Sequence, residues 1–131
     1  MKLIYGSELL KREQLKLPTL VIDARTEEEC RTYEMIDPFT HTKLNTPKLY
    51  AAKRIMPSEL NAYLGKIKDW QDSNPDALVV VGCTRMVRYC TRISTMITVL
   101  EANGIEARGI DPHIYEFMNL RFQRKLPKII F

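Results

Sequence analysis

The sequence predicts an α/β fold, a single mostly parallel sheet with helices on both faces. Three observations point there. Leu20-Val-Ile22 and Ala77-Leu-Val-Val-Val81 are unbroken apolar runs, as in strands buried on both faces of a parallel sheet. Segments with helical spacing lie between such runs, so strands and helices alternate. With 131 residues, 45% of them hydrophobic and 27% charged, the chain has the size of one domain and can bury a core without staples. We therefore expect one domain over residues 1–131, with an inserted loop at about 31–48.

Ser7-Glu-Leu-Leu-Lys-Arg-Glu-Gln-Leu15 reads as a short first helix, with Ser7 as its cap and leucines at 9, 10 and 15. After Pro18, the run Thr19–Ile22 is the first buried strand and ends at Asp23. Thr26-Glu-Glu-Glu29 starts a second helix, its acidic residues suiting the macrodipole. Residues 33–48, YEMIDPFTHTKLNTPK, hold two prolines and no clean period, and so read as a long surface loop.

Lys53-Arg-Ile-Met56 reads as a short strand. Ser58 then caps a helix with Leu60, Leu64, Ile67 and Trp70 on one face. Ala77–Val81 is the strongest strand signal, with Gly82 and Cys83 at its carboxyl end. A long helix follows from somewhere between residues 85 and 88 to Asn103, where Asn103-Gly104 is a stop. Ile105–Ile110 is the last strand. Asp111-Pro112 turns the chain, His113–Gln123 reads as helical, and Lys125–Phe131 as an extended tail.

Twenty basic residues against sixteen acidic ones give a formal charge of +4. No RNP, zinc-finger or basic-arm pattern accompanies this mild surplus, so it does not point to nucleic acid and suits small anions equally well. No run approaches the roughly 20 apolar residues of a membrane span. The opening MKLIYGSELLKREQ turns polar after five residues, so no signal-peptide core is expected. Cys30, Cys83 and Cys90 form no C-x-x-C pair. Neither a disulfide framework nor a metal site is expected, and the cytoplasm is the expected compartment.

Ligands of open parallel sheets bind beyond the carboxyl ends of the strands. Two segments fall there: Asp23-Ala-Arg25, and Gly82-Cys83-Thr84. The second holds a possible nucleophile. A cysteine between a strand and a helix N-terminus faces unpaired backbone N–H groups and the positive end of the dipole, both of which favour thiolate. Arg85, Arg88 and Arg92 add positive charge, and a bound anion would offset the cost of placing them against the dipole. The bland reading is that Cys83 is a small buried residue at a strand end, as free cysteines commonly are.

The chain also resembles the rhodanese-like family in several separated pieces that keep the family's order. Leu20-Val-Ile-Asp-Ala-Arg-Thr-Glu-Glu-Glu29 looks like its D-x-R-x-x-x-E segment, matched by Asp23, Arg25 and Glu29. Tyr50-Ala-Ala-Lys-Arg-Ile-Met-Pro57 is similar to its G-A-x-x-I-P stretch, with Ala51 in place of glycine. Val79-Val-Val-Gly-Cys-Thr-Arg-Met-Val-Arg88 resembles its strand and active-site loop, and Leu100-Glu-Ala-Asn-Gly-Ile105 its L-x-x-x-G. His113-Ile-Tyr-Glu-Phe117 and Lys125-Leu-Pro-Lys-Ile129 look like its closing helix and L-P ending.

That resemblance implies sulfur transfer without a cofactor. Cys83 would attack an anionic sulfur donor such as thiosulfate, carry the sulfur as a persulfide, and pass it to a thiol or cyanide. Thr84, Arg85, Met86, Val87 and Arg88 would cradle the anion, with Asp23, Arg25 and Arg92 as accessories. The loop from Cys83 to Arg88 is C-x4-R, the sulfurtransferase length. Related phosphatases use C-x5-R, so a cysteine phosphatase or arsenate reductase fits less well.

The chain departs from the family pattern in lacking a loop glycine and the Gly-Gly near the last strand, where Gly109-Ile-Asp111 stands. These departures favour a second function, a binding or regulatory module without turnover that meets a protein partner through residues 31–48 and the arginines. A further structural alternative starts the long helix directly at Arg85. Met86, Cys90, Ile93, Ile97 and Leu100 would then form its apolar stripe, with no anion cradle. Cys90 reads as core or as a resolving thiol, and Cys30 as core. His41 and His113 carry no clear role, and Trp70 and the tyrosines read as packing.

Overall fold

A computed structural model of the chain describes residues 2–24, 26, 34–36, 43–45, 53–82 and 91–110. Its centre is a five-stranded sheet built from β1 (Leu3–Ile4), β2 (Thr19–Asp23), β5 (Lys53–Arg54), β6 (Leu78–Gly82) and β7 (Ala107–Ile110). The spatial order is β1-β7-β6-β2-β5, and every pairing is parallel. The expected α/β architecture is therefore present. β2 and β6 run side by side, with Thr19 opposite Leu78 and Asp23 opposite Gly82. All five residues of each are buried, which explains why both read as unbroken apolar runs.

The helices divide between the two faces. Leu20, Ile22, Val79, Val81 and Ala107 share one face and pack with residues of α2 (Leu60–Ser73) and α3 (Thr91–Ala102) in one hydrophobic cluster. Alternation places Leu78, Val80 and Arg108 on the other face, the Arg108 side by register with Val80. There α1 (Gly6–Gln14) lies against the sheet, with Leu9 fully buried and Glu8 paired to Arg108 at 2.8 Å.

α2 forms because Leu60, Tyr63, Leu64, Ile67 and Trp70 recur every three or four residues; Leu60 and Ile67 are buried, and the others pack partly buried against the cluster. Extended Asn74 and then Pro75 end it. Its N-cap is Glu59, with no side-chain cap, so Ser58 is not the capping residue expected. α3 buries Ile93, Met96, Ile97 and Leu100, matching the expected stripe at three positions and adding Met96. Met86 and Cys90 lie outside the described residues, as does the question of where the helix begins between 83 and 90.

Three further expectations need correction, and one strand lies where none was expected. Leu3–Ile4 forms an edge strand beside β7, too short to carry a periodic signal of its own. The first helix spans Gly6–Gln14, so Ser7 is inside it. The carbonyl of Tyr5 accepts the Leu9 N–H at 3.1 Å, and Leu15 stands beyond the last turn, 57% exposed. Tyr5 itself is 50% exposed and not a packing residue. Within the expected 33–48 loop, β3 (Glu34–Ile36) and β4 (Lys43–Asn45) pair antiparallel as a separate two-stranded sheet. The second helix expected from Thr26, the extended tail and the helix at 113–123 lie outside the described residues.

Candidate functional site

Because all five central strands are parallel, their carboxyl ends share one edge of the sheet. From β2 the chain goes on to β5 on one side, and from β6 to β7 on the other. The adjacent ends of β2 and β6 therefore flank the point where strand order reverses. At such a reversal open α/β sheets bind their ligands, in the crevice between the diverging connections.

The residues at this crevice are Asp23 and Gly82, paired in register at the strand ends. The Ala24 N–H donates to the Gly82 carbonyl at 2.8 Å, and the Ile55 N–H to the Asp23 carbonyl at 3.2 Å, so the ladder extends to the very end of β2. Asp23 and Ala24 are fully buried. Arg92, in the first turn of α3 and half-buried, donates from Nη1 to the Ala24 carbonyl at 3.2 Å. A guanidinium from α3 is thus tied to the end of β2, across 68 residues of sequence.

Of the residues singled out in the sequence, the structure brings Asp23 and Arg92 to this edge. Gly82 stands there too, and Cys83 is the next residue of the chain. Cys83, Thr84, Arg85, Met86, Val87, Arg88 and Arg25 lie outside the described residues, as do Cys30, Cys90, His41 and His113.

Two basic residues that the sequence reading passed over also reach this edge. Arg54, opposite Asp23 on β5, is exposed, and Lys53 sits with its Nζ 5.0 Å from the centre of the Tyr63 ring. Nothing local in the sequence signals them, since only the strand order sets Lys53-Arg54 beside Ile22-Asp23.

A second concave site lies at the opposite, amino edge, between α1 and the starts of β6 and β7. It encloses about 390 Å³ and is lined by Arg12, Arg108 and Leu78 among others. Arg12 donates from Nε to Thr19 Oγ1 and from Nη2 to the Pro18 carbonyl, both at 2.8 Å, and also to the Asp76 carbonyl. Burial, and next the charge of Arg108, hold its guanidinium below the ordinary arginine range. The signal for this site is an arginine inside the otherwise apolar strand Ala107-Arg-Gly-Ile110.

The fold is a parallel α/β domain whose strand order reverses between the ends of β2 and β6. No family model matches the sequence, and no curated protein matches it. Among solved structures the chain is similar to the BH2092 protein from Bacillus halodurans, with a TM-score of 0.50 at 10% sequence identity. That likeness covers 94% of this chain and 71% of the other, and shows the fold alone. Among the described residues no helix is long and apolar enough to cross a membrane.

Proposed function

We propose that the protein is a sulfurtransferase of the rhodanese-like type, with Cys83 as its nucleophile. The observation that carries this reading is the position of Gly82, the residue before Cys83, at the carboxyl end of a central strand where strand order reverses. Arg92, tied to Ala24 at the same edge, adds a fixed positive charge suited to an anionic donor. The C-x4-R spacing from Cys83 to Arg88 supports sulfur over phosphorus chemistry, and a reducing cytoplasm suits a reactive thiol.

In the first step the Cys83 thiolate attacks the outer sulfur of thiosulfate. The sulfur–sulfur bond of the donor breaks, sulfite leaves with the electron pair, and Cys83 holds a persulfide. In the second step cyanide or an acceptor thiolate attacks the terminal sulfur. Thiocyanate or a new persulfide forms, and the Cys83 thiolate returns. Amides and guanidiniums converging on the terminal sulfur would stabilise its negative charge in both steps.

A second reading, a binding module without turnover, is favoured by one observation: the 31–48 insertion contains its own antiparallel pair, β3 and β4. One experiment separates the two. The reduced chain is incubated with thiosulfate, and its intact mass is read beside that of Cys83→Ser. The enzyme gains one sulfur atom that the variant does not, and releases thiocyanate when cyanide is added. A correctly folded chain that takes up no sulfur from any anionic donor is the binding module.

A further inference from the structure

The cleft at the amino edge lies at the opposite end of the sheet from Gly82, and the sulfur-transfer reading leaves it unused. Its walls bring two guanidiniums together. Arg108 projects from β7 toward α1, and Arg12 from the last turn of α1. Both are partly satisfied. Arg108 Nη1 meets Glu8 at 2.8 Å and its Nη2 is 4.0 Å from Glu106. Arg12 spends Nε and Nη2 on Thr19, Pro18 and Asp76.

What remains unmade is informative. Arg108 Nε is buried and has no hydrogen-bond partner. A buried cationic N–H left unpaired loses its hydration with nothing in return, and such a group calls for an acceptor. Among the described residues no acceptor meets Arg12 Nη1 either. Burial, and next the charge of Arg108, also lower the affinity of Arg12 for its proton, so the paired guanidiniums stand at a cost that a bound anion would offset. Glu8, Glu106 and Asp76 balance Lys11, Arg12 and Arg108 around the cleft, so its wall is neutral in sum and a bare multivalent anion gains little from long-range attraction. The rest of the lining is hydrocarbon, from Ile4, Leu15, Leu17, Ala77 and Leu78.

We propose that this cleft binds a small carboxylic acid with an apolar body, its carboxylate received between the guanidiniums of Arg12 and Arg108 and its hydrocarbon laid on Leu78 and Leu17. A planar carboxylate matches guanidinium N–H geometry, and a volume of about 390 Å³ falls in the range of small-molecule pockets.

The test is a titration of the ¹⁵N-labelled full chain with hexanoate, with hexylamine and inorganic phosphate as comparison probes. Hexanoate should produce saturable amide shifts at Ala77, Leu78, Glu106 and Arg108. Arg108→Gln should weaken it about tenfold or more, as expected for losing a charge-assisted contact. Leu15→Asp sets a like charge at the exposed rim without touching the core and should also weaken hexanoate. It keeps the test decisive if the arginine variant fails to fold. No saturable shift with hexanoate would overturn the proposal. So would equal binding of hexylamine, or phosphate binding as tightly as the acid, or Leu15→Asp leaving affinity unchanged.

Discussion

The side-chain amide of Gln71 meets both backbone groups of Glu106, whose carbonyl also accepts the Val79 N–H of β6 at 3.4 Å. Its Oε1 accepts the Glu106 N–H at 2.8 Å, and its Nε2 donates to the Glu106 carbonyl at 2.9 Å. α2 is thereby fastened to the chain just before β7. A side-chain amide carries an acceptor and a donor side by side, matching a backbone N–H and carbonyl. Gln71→Glu keeps the shape, removes the donor and turns a carboxylate toward a carbonyl oxygen. Urea denaturation should show a loss of about 1–2 kcal/mol. An unchanged midpoint would mean that water replaces the amide at no cost. Arg12 and Arg92 work at the same scale, each closing a long-range contact through one guanidinium. Such roles are illegible in sequence, because an arginine reads alike whether it tethers a carbonyl or lies in solvent.

Two helices end by the same device, and only one of the ends was readable. After α3 the Ile105 N–H bonds the Leu100 carbonyl and the Gly104 N–H bonds the Glu101 carbonyl, both at 3.0 Å, with Gly104 at φ +73°. Ile105 and Leu100 are both buried, completing the hydrophobic contact of a Schellman motif. The Asn103-Gly104 pair announced this stop. After α1 the Leu17 N–H bonds the Arg12 carbonyl at 2.9 Å, but the left-handed residue is Lys16, at φ +53°. A lysine there carries no turn signal, which is why the helix was read to run on to Leu15. It also carries strain from its Cβ. Lys16→Gly should therefore raise stability by about 0.5–1 kcal/mol in thermal or urea unfolding, even allowing for the floppier unfolded chain. A loss of stability would contradict the account of this cap. The start of α2 escaped in the opposite sense. Ser58 has capping chemistry, but the turn over residues 57–59 sets the helix start one residue later.

At the scale of the whole molecule, alternating elements were legible because burial on both faces leaves an unbroken apolar run, as in β2 and β6. Strand order was not. No local signal says that Leu3–Ile4 lies beside β7, or that β6 returns between β2 and β7. That order makes the candidate site. It sets Asp23 beside Gly82, residues some 60 positions apart in the chain. Each was recognisable alone as the end of a strand; their adjacency belongs to the sheet.

The proposed sulfur transfer requires that Cys83, the residue after Gly82, be a thiolate at neutral pH. It is tested most directly by the pH dependence of its alkylation by iodoacetamide in the intact chain, with Cys30 and Cys90 replaced by serine. The account predicts rapid modification at neutral pH, half-maximal well below the pH at which a free cysteine in the urea-unfolded chain reaches the same fraction. A Cys83 that resists alkylation until the protein unfolds, or that titrates like the unfolded thiol, would contradict it.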